Sequence, residues 1–328
     1  MTGPSGESAD AAVDISFVIP VFNSAPWIEA CIESALRQSG VRAEVICVDD
    51  GSTDASNEII SSMAARDTRV ILLEQVNSGQ SVARNKGVDA ARGRYVAFLD
   101  SDDLWHMDAA ASLIDIADRD ELDVLLFDGH AFLEGGVESA TWERYKGYYQ
   151  RDAGDYPDCV TGITLMARMR RRGHYRPHVG LYLARRAFVH ASGVGFIPHI
   201  VHQDNAYTFA LMLRAERASH VATDVYARRL RPHSTITSLD AYRSVLGYVT
   251  AYVDMRHQLR RASAPLRYRA PLRDIVRYAL RGAARRYGEL TPASVDALRK
   301  ELAGTEAREV LDALQRHLSR RALGFRRR

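Results

Sequence analysis

Four times within the first 120 residues, a short apolar, β-rich run gives way to a polar turn and then to a segment with helical spacing. The run "ISFVIPVF" (15–22) precedes "APWIEACIESALRQSG" (25–40), where Trp27, Ile28, Cys31, Ile32, Ala35 and Leu36 recur at three- and four-residue steps. Pro26 suits a first helical turn and Gly40 a C-terminal stop. "AEVICVDD" (43–50) leads through a Gly-Ser-Thr-Asp turn into a helix ending near Arg66, and "RVILLEQ" (69–75) leads into "SVARNKGVDAA" (81–91). "RYVAFLD" (94–100) is followed by a helix at about 107–119, then by a further strand, "DVLLFDGHAF" (123–132). Strands that alternate with helices are joined by right-handed crossovers. The expected fold is therefore α/β, a mostly parallel sheet with helices on both faces.

Such sheets bind ligands beyond the C-terminal ends of their strands. The polar residues gather there: Asn23 after the first strand, Asp49 and Asp50 after the second, Asn77 after the third, and Asp100 to Asp103 after the fourth. In "AFLDSDDLW" (97–105), Asp100 and Asp102 have the spacing that presents two carboxylates to one hard cation, Mn²⁺ or Mg²⁺. Such an ion neutralises a diphosphate leaving group. The plainer reading of this turn is a solvated loop in which Asp102 or Asp103 caps the next helix. Asp49-Asp50-Gly51-Ser52 likewise suits a capped strand-to-helix turn.

Taken together, "FVIPVFN", "VICVDDGSTDAS" and "NSGQSVARNKGVDAARGRYVAFLDSDD" resemble the family-2 glycosyltransferases, enzymes of the GT-A fold that use nucleotide-diphosphate sugars. The resemblance covers about residues 15–135. It implies that Pro20, Val21 and Asn23 line a base and ribose pocket and that Asp49 or Asp50 accepts the N3–H of a uracil-like base. Asn77, Gly79, Arg84, Asp100 and Ser101 fall in the same donor-binding set, Gly79 by allowing close backbone approach and Arg84 by meeting a phosphate or base carbonyl. Asn77 and Asn85 also suit plain turn or capping roles. Downstream, many relatives carry Glu-Asp where "IVHQDNAYTFALML" (200–213) has Gln203-Asp204. By position Asp204 is the base that deprotonates an acceptor hydroxyl, while Gln203 stands where a second acid is usual; the bland alternative for Asp204 is a helix cap. "YARRLRPHSTITS" (226–238) resembles a segment that reaches back over the diphosphate. That likeness gives Arg228, Arg229 and Arg231 as phosphate ligands and His233 as a third metal ligand or a diphosphate contact, the plainer reading of a lone loop histidine being a structural or exposed one. The implied reaction is metal-assisted, inverting transfer from a UDP-sugar to a glycan, lipid-linked or polymer acceptor.

Charge divides the chain. Residues 240–328 hold 20 Lys/Arg against 9 Asp/Glu, a balance of +11, and residues 1–239 hold 24 against 32, or −8. We expect a polar tail (1–14), a catalytic region (15–239, with a nucleotide-binding half to 135 and an acceptor half after it) and a basic helical C-terminal region (240–328). Pro265 and Pro271 are expected to flank a break, with two or three helices following. Arg273, Arg277, Arg281 and Arg285 form a drifting stripe beside apolar positions, which suits contact with anionic headgroups or packing on the catalytic region or another subunit of a homo-oligomer. The basic residues are not interleaved with aromatic platforms, which argues against nucleic acid. Three scattered cysteines, no signal peptide and no apolar run of bilayer length point to a cytoplasmic protein, with peripheral contact at the inner membrane face. A nucleotidyltransferase is disfavoured because "PVFNSAPW" lacks a glycine-rich, basic loop, and Gln203 is the one hint of a catalytically degenerate scaffold.

Overall fold

The computed structural model describes residues 12–151, 156, 159–232 and 240–324. Strands β1 (Ile15–Val21), β2 (Ala43–Asp49), β3 (Val70–Glu74) and β4 (Tyr95–Phe98) are all parallel, in the order β3-β2-β1-β4. Helices α1 (Ile28–Leu36), α2 (Ser56–Arg66) and α3 (Gln80–Ala90) make the crossovers. The alternation that marks these runs also divides the core, because successive strand side chains point to opposite faces. Ile15, Phe17 and Ile19 pack on one face with Val45, Cys47, Tyr95 and Ala97, whereas Val18 joins Ile46, Val48, Val96 and Phe98 on the other. At Gly87 a Cβ would stand 2.4 Å from Val18 Cγ1, so α3 can lie on β1 only because that helical position has no side chain.

Beyond β4 the sheet becomes mixed, in the order β4-β7-β6-β8-β5. Strand β7 (Tyr182–Arg185) runs antiparallel to both β4 and β6 (Val124–Leu133), and β8 (Ala218–Leu230) runs parallel to β6. The two-residue β5 (Leu104–Trp105) pairs antiparallel with β8. Trp105 is a core residue, its ring edge-on to Phe17 and Phe127. Helices α4 (Ala109–Arg119), α5 (Ser139–Tyr145), α6 (Gly162–Arg172), α7 (Arg186–Ser192) and α8 (Gln203–Arg214) complete this half.

The C-terminal region is helical: α9 (Ala241–Arg261), α10 (Leu266–Tyr287), α11 (Pro292–Glu301) and α12 (Glu306–Gly324). The chain breaks at Pro265, but Pro271 lies inside α10, where it is buried; the expected second boundary is not one. Helix α9 packs on α8 and α10 on α6. Leu272, Ile275, Val276 and Ala279 belong to the same buried cluster as Val18, Val48 and Val96. The apolar face of α10 is thus spent on the protein's own core, leaving Arg273, Arg277, Arg281 and Arg285 exposed. Among the described residues no helix is long and apolar enough to cross a membrane.

Because α10 shares that core, Leu272→Ala should cost about 2–5 kcal/mol. Urea denaturation followed by both fluorescence and far-UV circular dichroism checks this, with one coincident, shifted transition expected. A separate early transition confined to helical signal would show the C-terminal helices to be energetically independent.

Candidate functional site

The strand order reverses direction at β1, whose neighbours are β2 on one side and β4 on the other, and the crevice of such a sheet is expected at this switch point, beyond the strand ends. Their pairing stops at Val18 and Phe98, so Pro20, which has no N–H to donate, lies beyond the shared ladder. Pro20 and Val21 are buried strand residues still paired with β2. The crevice mouth is bridged by Ser24 and Ser101, whose hydroxyls are 2.6 Å apart.

One wall is the rim formed by the ends of β1 and β2 and the loop between β3 and α3. Asn23 takes a left-handed conformation (φ 50°), accepts from the Thr53 backbone N–H at 2.8 Å, and gives its own N–H to Ser52 Oγ. Asp49 accepts from Ser52 N at 3.0 Å and Asn57 Nδ2 at 3.0 Å, tying down the β2–α2 turn. Asp50 accepts from Gln75 Nε2, Ser78 N and Gly79 N at 2.7–2.8 Å, which holds the β3–α3 loop against β2. Gly79 adopts φ +89°, a region open to glycine at little cost. Asn77 is exposed on this rim, and Asn85 is structural, bonding both backbone groups of Phe196.

The other wall is an acidic turn strapped by arginines. Arg228, on β8, bonds Asp100 Oδ2 at 2.6 Å and Asp103 Oδ2 at 2.7 Å. Arg229 gives its backbone N–H to Asp103 and its Nε–H to the Asp102 carbonyl. Arg231 bonds Asp102 Oδ2 at 2.8 Å, and its guanidinium lies 4.0 Å from the centroid of the Trp27 ring. The expectation that these arginines reach the diphosphate therefore becomes, in this conformation, a set of bonds to the acidic turn. Asp103 caps no helix: it is buried, bonded to the Tyr226 hydroxyl as well, and α4 begins six residues later after Asp108.

Between the walls stands Arg84. It is not on a solvated helix face but fully buried, with Nη2 on Asp100 Oδ1 at 2.7 Å and Nη1 on Asp204 Oδ1 at 2.9 Å. Asp204 lies in the first turn of α8, whose N-cap is His202, so capping is not its role. Burial pushes the Asp204 carboxyl above the usual carboxylate range, and nearby Asp100 adds to this against the pull of Arg84. Burial acts the same way on Asp100, but Arg84 and Arg228 outweigh it and hold that group well below the usual range. Gln203, buried, donates to Gln80 Oε1 at 2.7 Å, and Gln80 donates to Asp100 at 3.3 Å. The amide in place of the usual acid fits this relay, because a carboxylate there could not donate. The Nε–H groups of Arg84 and Arg228 are buried without an acceptor among the described residues.

His233, the expected third metal ligand, lies outside the described residues. Among those described, no three carboxylate, imidazole or thiolate groups gather around a common point. Asp100 and Asp102 have the oxygen donors a hard cation takes, but here Asp100 is engaged by Arg84 and Arg228 and Asp102 Oδ2 by Arg231, so a cation would have to exchange with guanidinium groups to be held there.

Sequence reasoning missed Gln80, Tyr226 and Trp27. Gln80 directly follows Gly79 and was the most accessible of the three. Tyr226 and Trp27 act through partners more than 100 residues away, Asp103 for the tyrosine and Glu134, which accepts the indole N–H, for the tryptophan.

Residues 16–176 match the family model "Glycosyl transferase family 2". The chain is 34% identical over 227 residues to the uncharacterized glycosyltransferase YibD of Escherichia coli (strain K12), covering 68% of this chain and 63% of that one. It is 42% identical over 129 residues to the succinoglycan biosynthesis protein ExoO of Rhizobium meliloti, covering 37% of each. The chain thus spans less than two thirds of the length of these relatives. Among solved structures, S. aureus TarS 1-349 in complex with UDP-GlcNAc superposes with a TM-score of 0.63 at 20% identity, over 92% of this chain and 83% of that one. The mannosyltransferase PcManGT from Pyrobaculum calidifontis, in complex with GDP-Man and Mn²⁺, gives 0.53 at 17% identity, over 93% and 88%. These two likenesses establish the α/β GT-A fold.

Replacing Arg84 by Met would leave the largely buried Asp204 without its cation and Asp100 with Arg228 alone, and should cost about 3 kcal/mol at pH 7. Without the guanidinium both groups take up protons more readily, so the deficit relative to the wild type should narrow as pH falls toward about 4. Urea titrations at several pH values check this; a deficit that does not change with pH would contradict the assigned pairing.

Proposed function

This chain belongs to glycosyl transferase family 2, and on that premise we propose that it moves a sugar from a UDP-sugar to an acceptor hydroxyl with inversion, in the synthesis of cell-surface polysaccharide or glycoconjugate. The observation that carries the reading is the position of Asp204, which shares the buried guanidinium of Arg84 with Asp100 at the C-terminal end of β4. In this reading residues 15–239 are the catalytic unit, with the donor held by 15–135 and the acceptor side formed by 136–239. Residues 240–328 are a helical extension packed on it.

The base and ribose sit between the Pro20–Asn23 segment and the Asp49–Asp50 end of β2, with the loop of Asn77 and Gly79 closing over them. Ser101 and Asp100 lie where the ribose and diphosphate would follow. Asp204 takes the proton of the acceptor hydroxyl, the oxygen forms a bond to the anomeric carbon, and the bond to the diphosphate breaks with its electron pair leaving on UDP. A raised carboxyl pKa makes Asp204 a stronger base than an exposed aspartate. One base on the acceptor side and direct displacement give inversion. The phosphate oxygens would satisfy the unpaired Nε–H groups of Arg84 and Arg228, and Arg229 and Arg231 are close enough in sequence and space to exchange partners as the donor enters. Asp100 and Asp102 would hold a divalent cation, Mn²⁺ or Mg²⁺, and the bound ion would offset the diphosphate charge.

Support for a UDP-sugar comes from TarS, whose structure holds UDP-GlcNAc, and GDP-sugars are the comparison because PcManGT holds GDP-Man. Support for the polysaccharide acceptor comes from the succinoglycan protein ExoO. A cytoplasmic location is part of the same proposal and rests on three free cysteines, two of them buried.

Asp204→Asn should lower kcat by about 10²–10⁴-fold while nucleotide binding is retained. The check is UDP-sugar hydrolysis with added Mn²⁺, together with a thermal-shift titration with UDP. Loss of UDP binding in step with kcat would remove Asp204 from the base role. Since the deprotonated form is the active one and its pKa is raised, activity in the wild type should fall on acidification at a pH above the ordinary aspartate value of about 3.9. A pH–rate profile measures that limb.

A further inference from the structure

The basic C-terminal region is unused by the donor site, and its arginines are not evenly spread. A hollow of about 440 Å³ lies between the C-terminal half of α9 and the N-terminal half of α10. Arg256, Arg260, Arg269, Arg273 and Arg277 line it, and no acidic residue does. Arg256 is paired with Glu306. Arg260, Arg269, Arg273 and Arg277 are exposed and make no ion pair with a carboxylate among the described residues, whereas Arg281, farther along α10, is bonded to Asp274 at 2.9 Å. Four arginines that line one hollow without a paired carboxylate leave it positively charged, an arrangement that complements an arriving anion. The remaining lining is apolar, with Tyr252, Leu259 and Val276 in the wall. Beside the hollow, at the tip of the α9–α10 hairpin, Leu266 is 80% exposed immediately after Pro265.

We propose that this hollow binds the phosphate head group of an anionic phospholipid and that the hairpin tip thereby seats the protein on a membrane surface. Guanidinium groups bind phosphate oxygens in pairs, the apolar wall suits the glycerol and first methylenes of a lipid, and Leu266 is placed to enter the interface beside them. The last two features favour a lipid over a free phosphoanion. This differs from an amphipathic helix lying in the interface: the apolar face of α10 is already buried, so contact runs through the hollow and the tip. The inference does not depend on the proposed sugar transfer, and its test reads binding alone.

The experiment is co-sedimentation of the full chain with phosphatidylcholine vesicles, with and without phosphatidylglycerol. Binding is expected only to the anionic vesicles. Arg260→Gln, Arg269→Gln and Arg273→Gln combined should reduce partitioning by about 100-fold, at roughly 1 kcal/mol per arginine near the surface. The control removes the same charge from Arg66, Arg144 and Arg243, exposed arginines that do not line the hollow, and should change partitioning far less. Equal losses in both triple variants would reduce the effect to net charge and overturn the site. Absence of vesicle binding would overturn the proposal, including the case where inorganic phosphate raises the thermal stability of the wild type but not of the hollow variant, which would assign the hollow to a free phosphoanion.

Discussion

The buried guanidinium of Arg84 joins the two halves of the molecule at the place where chemistry is proposed. Its carboxylate partners come from different structural origins: Asp100 from the end of a parallel strand, Asp204 from the first turn of a helix 104 residues later in the chain. Removing two acids and an arginine from water is costly unless each charge is met, and the geometry meets them with bonds of 2.7 and 2.9 Å. The acidic turn repeats this logic, with Arg228 shared between Asp100 and Asp103 and Arg231 held by Asp102. Arginines thus already neutralise the rim that a charged donor would approach. Binding becomes an exchange of partners within a preformed network instead of the assembly of a site from solvated side chains.

The sheet explains why the network lies where it does. Strands β1, β2 and β4 are buried on both faces, which fixes their register, and the β1/β4 ladder ends at Val18 and Phe98, short of the acidic turn. Strand β8, running beside β6, carries Arg228 and Arg229 directly over the end of β4. The same strand holds Tyr226, whose hydroxyl reaches Asp103. The C-terminal helices pack on α8 and α6, with α10 contributing Leu272 and Ile275 to a core that extends to β1.

The first half was legible because its signals are local. Strands of four to seven β-branched and apolar residues, each followed by a polar turn and a 3.6-residue period, leave few arrangements available, and the motifs fall at the strand ends. What sequence could not convey depends on distant partners. Strand β7 is as short as β4 but lies outside the strand–turn–helix repeat that marks the first half, and its antiparallel direction is set by its neighbours. Pro271 reads as a helix breaker in isolation, yet it is tolerated near the start of α10. Asp103 reads as a cap because its partners, Tyr226 and Arg228, are more than 120 residues away. Arg84 was singled out for phosphate binding, but nothing near it in the chain announces that Asp204 completes its coordination. Gln203 stood out only as a departure from the usual acid; its bond to Gln80 gives the amide a structural reason.

The central claim is that Asp204 activates an acceptor for direct displacement at the anomeric carbon. Water can serve as that acceptor, so the anomeric form of the sugar released from an α-linked UDP-sugar, read by proton NMR before mutarotation, tests the claim without knowledge of the natural acceptor. The account predicts that the β-anomer appears first. Initial release of the α-anomer would contradict it.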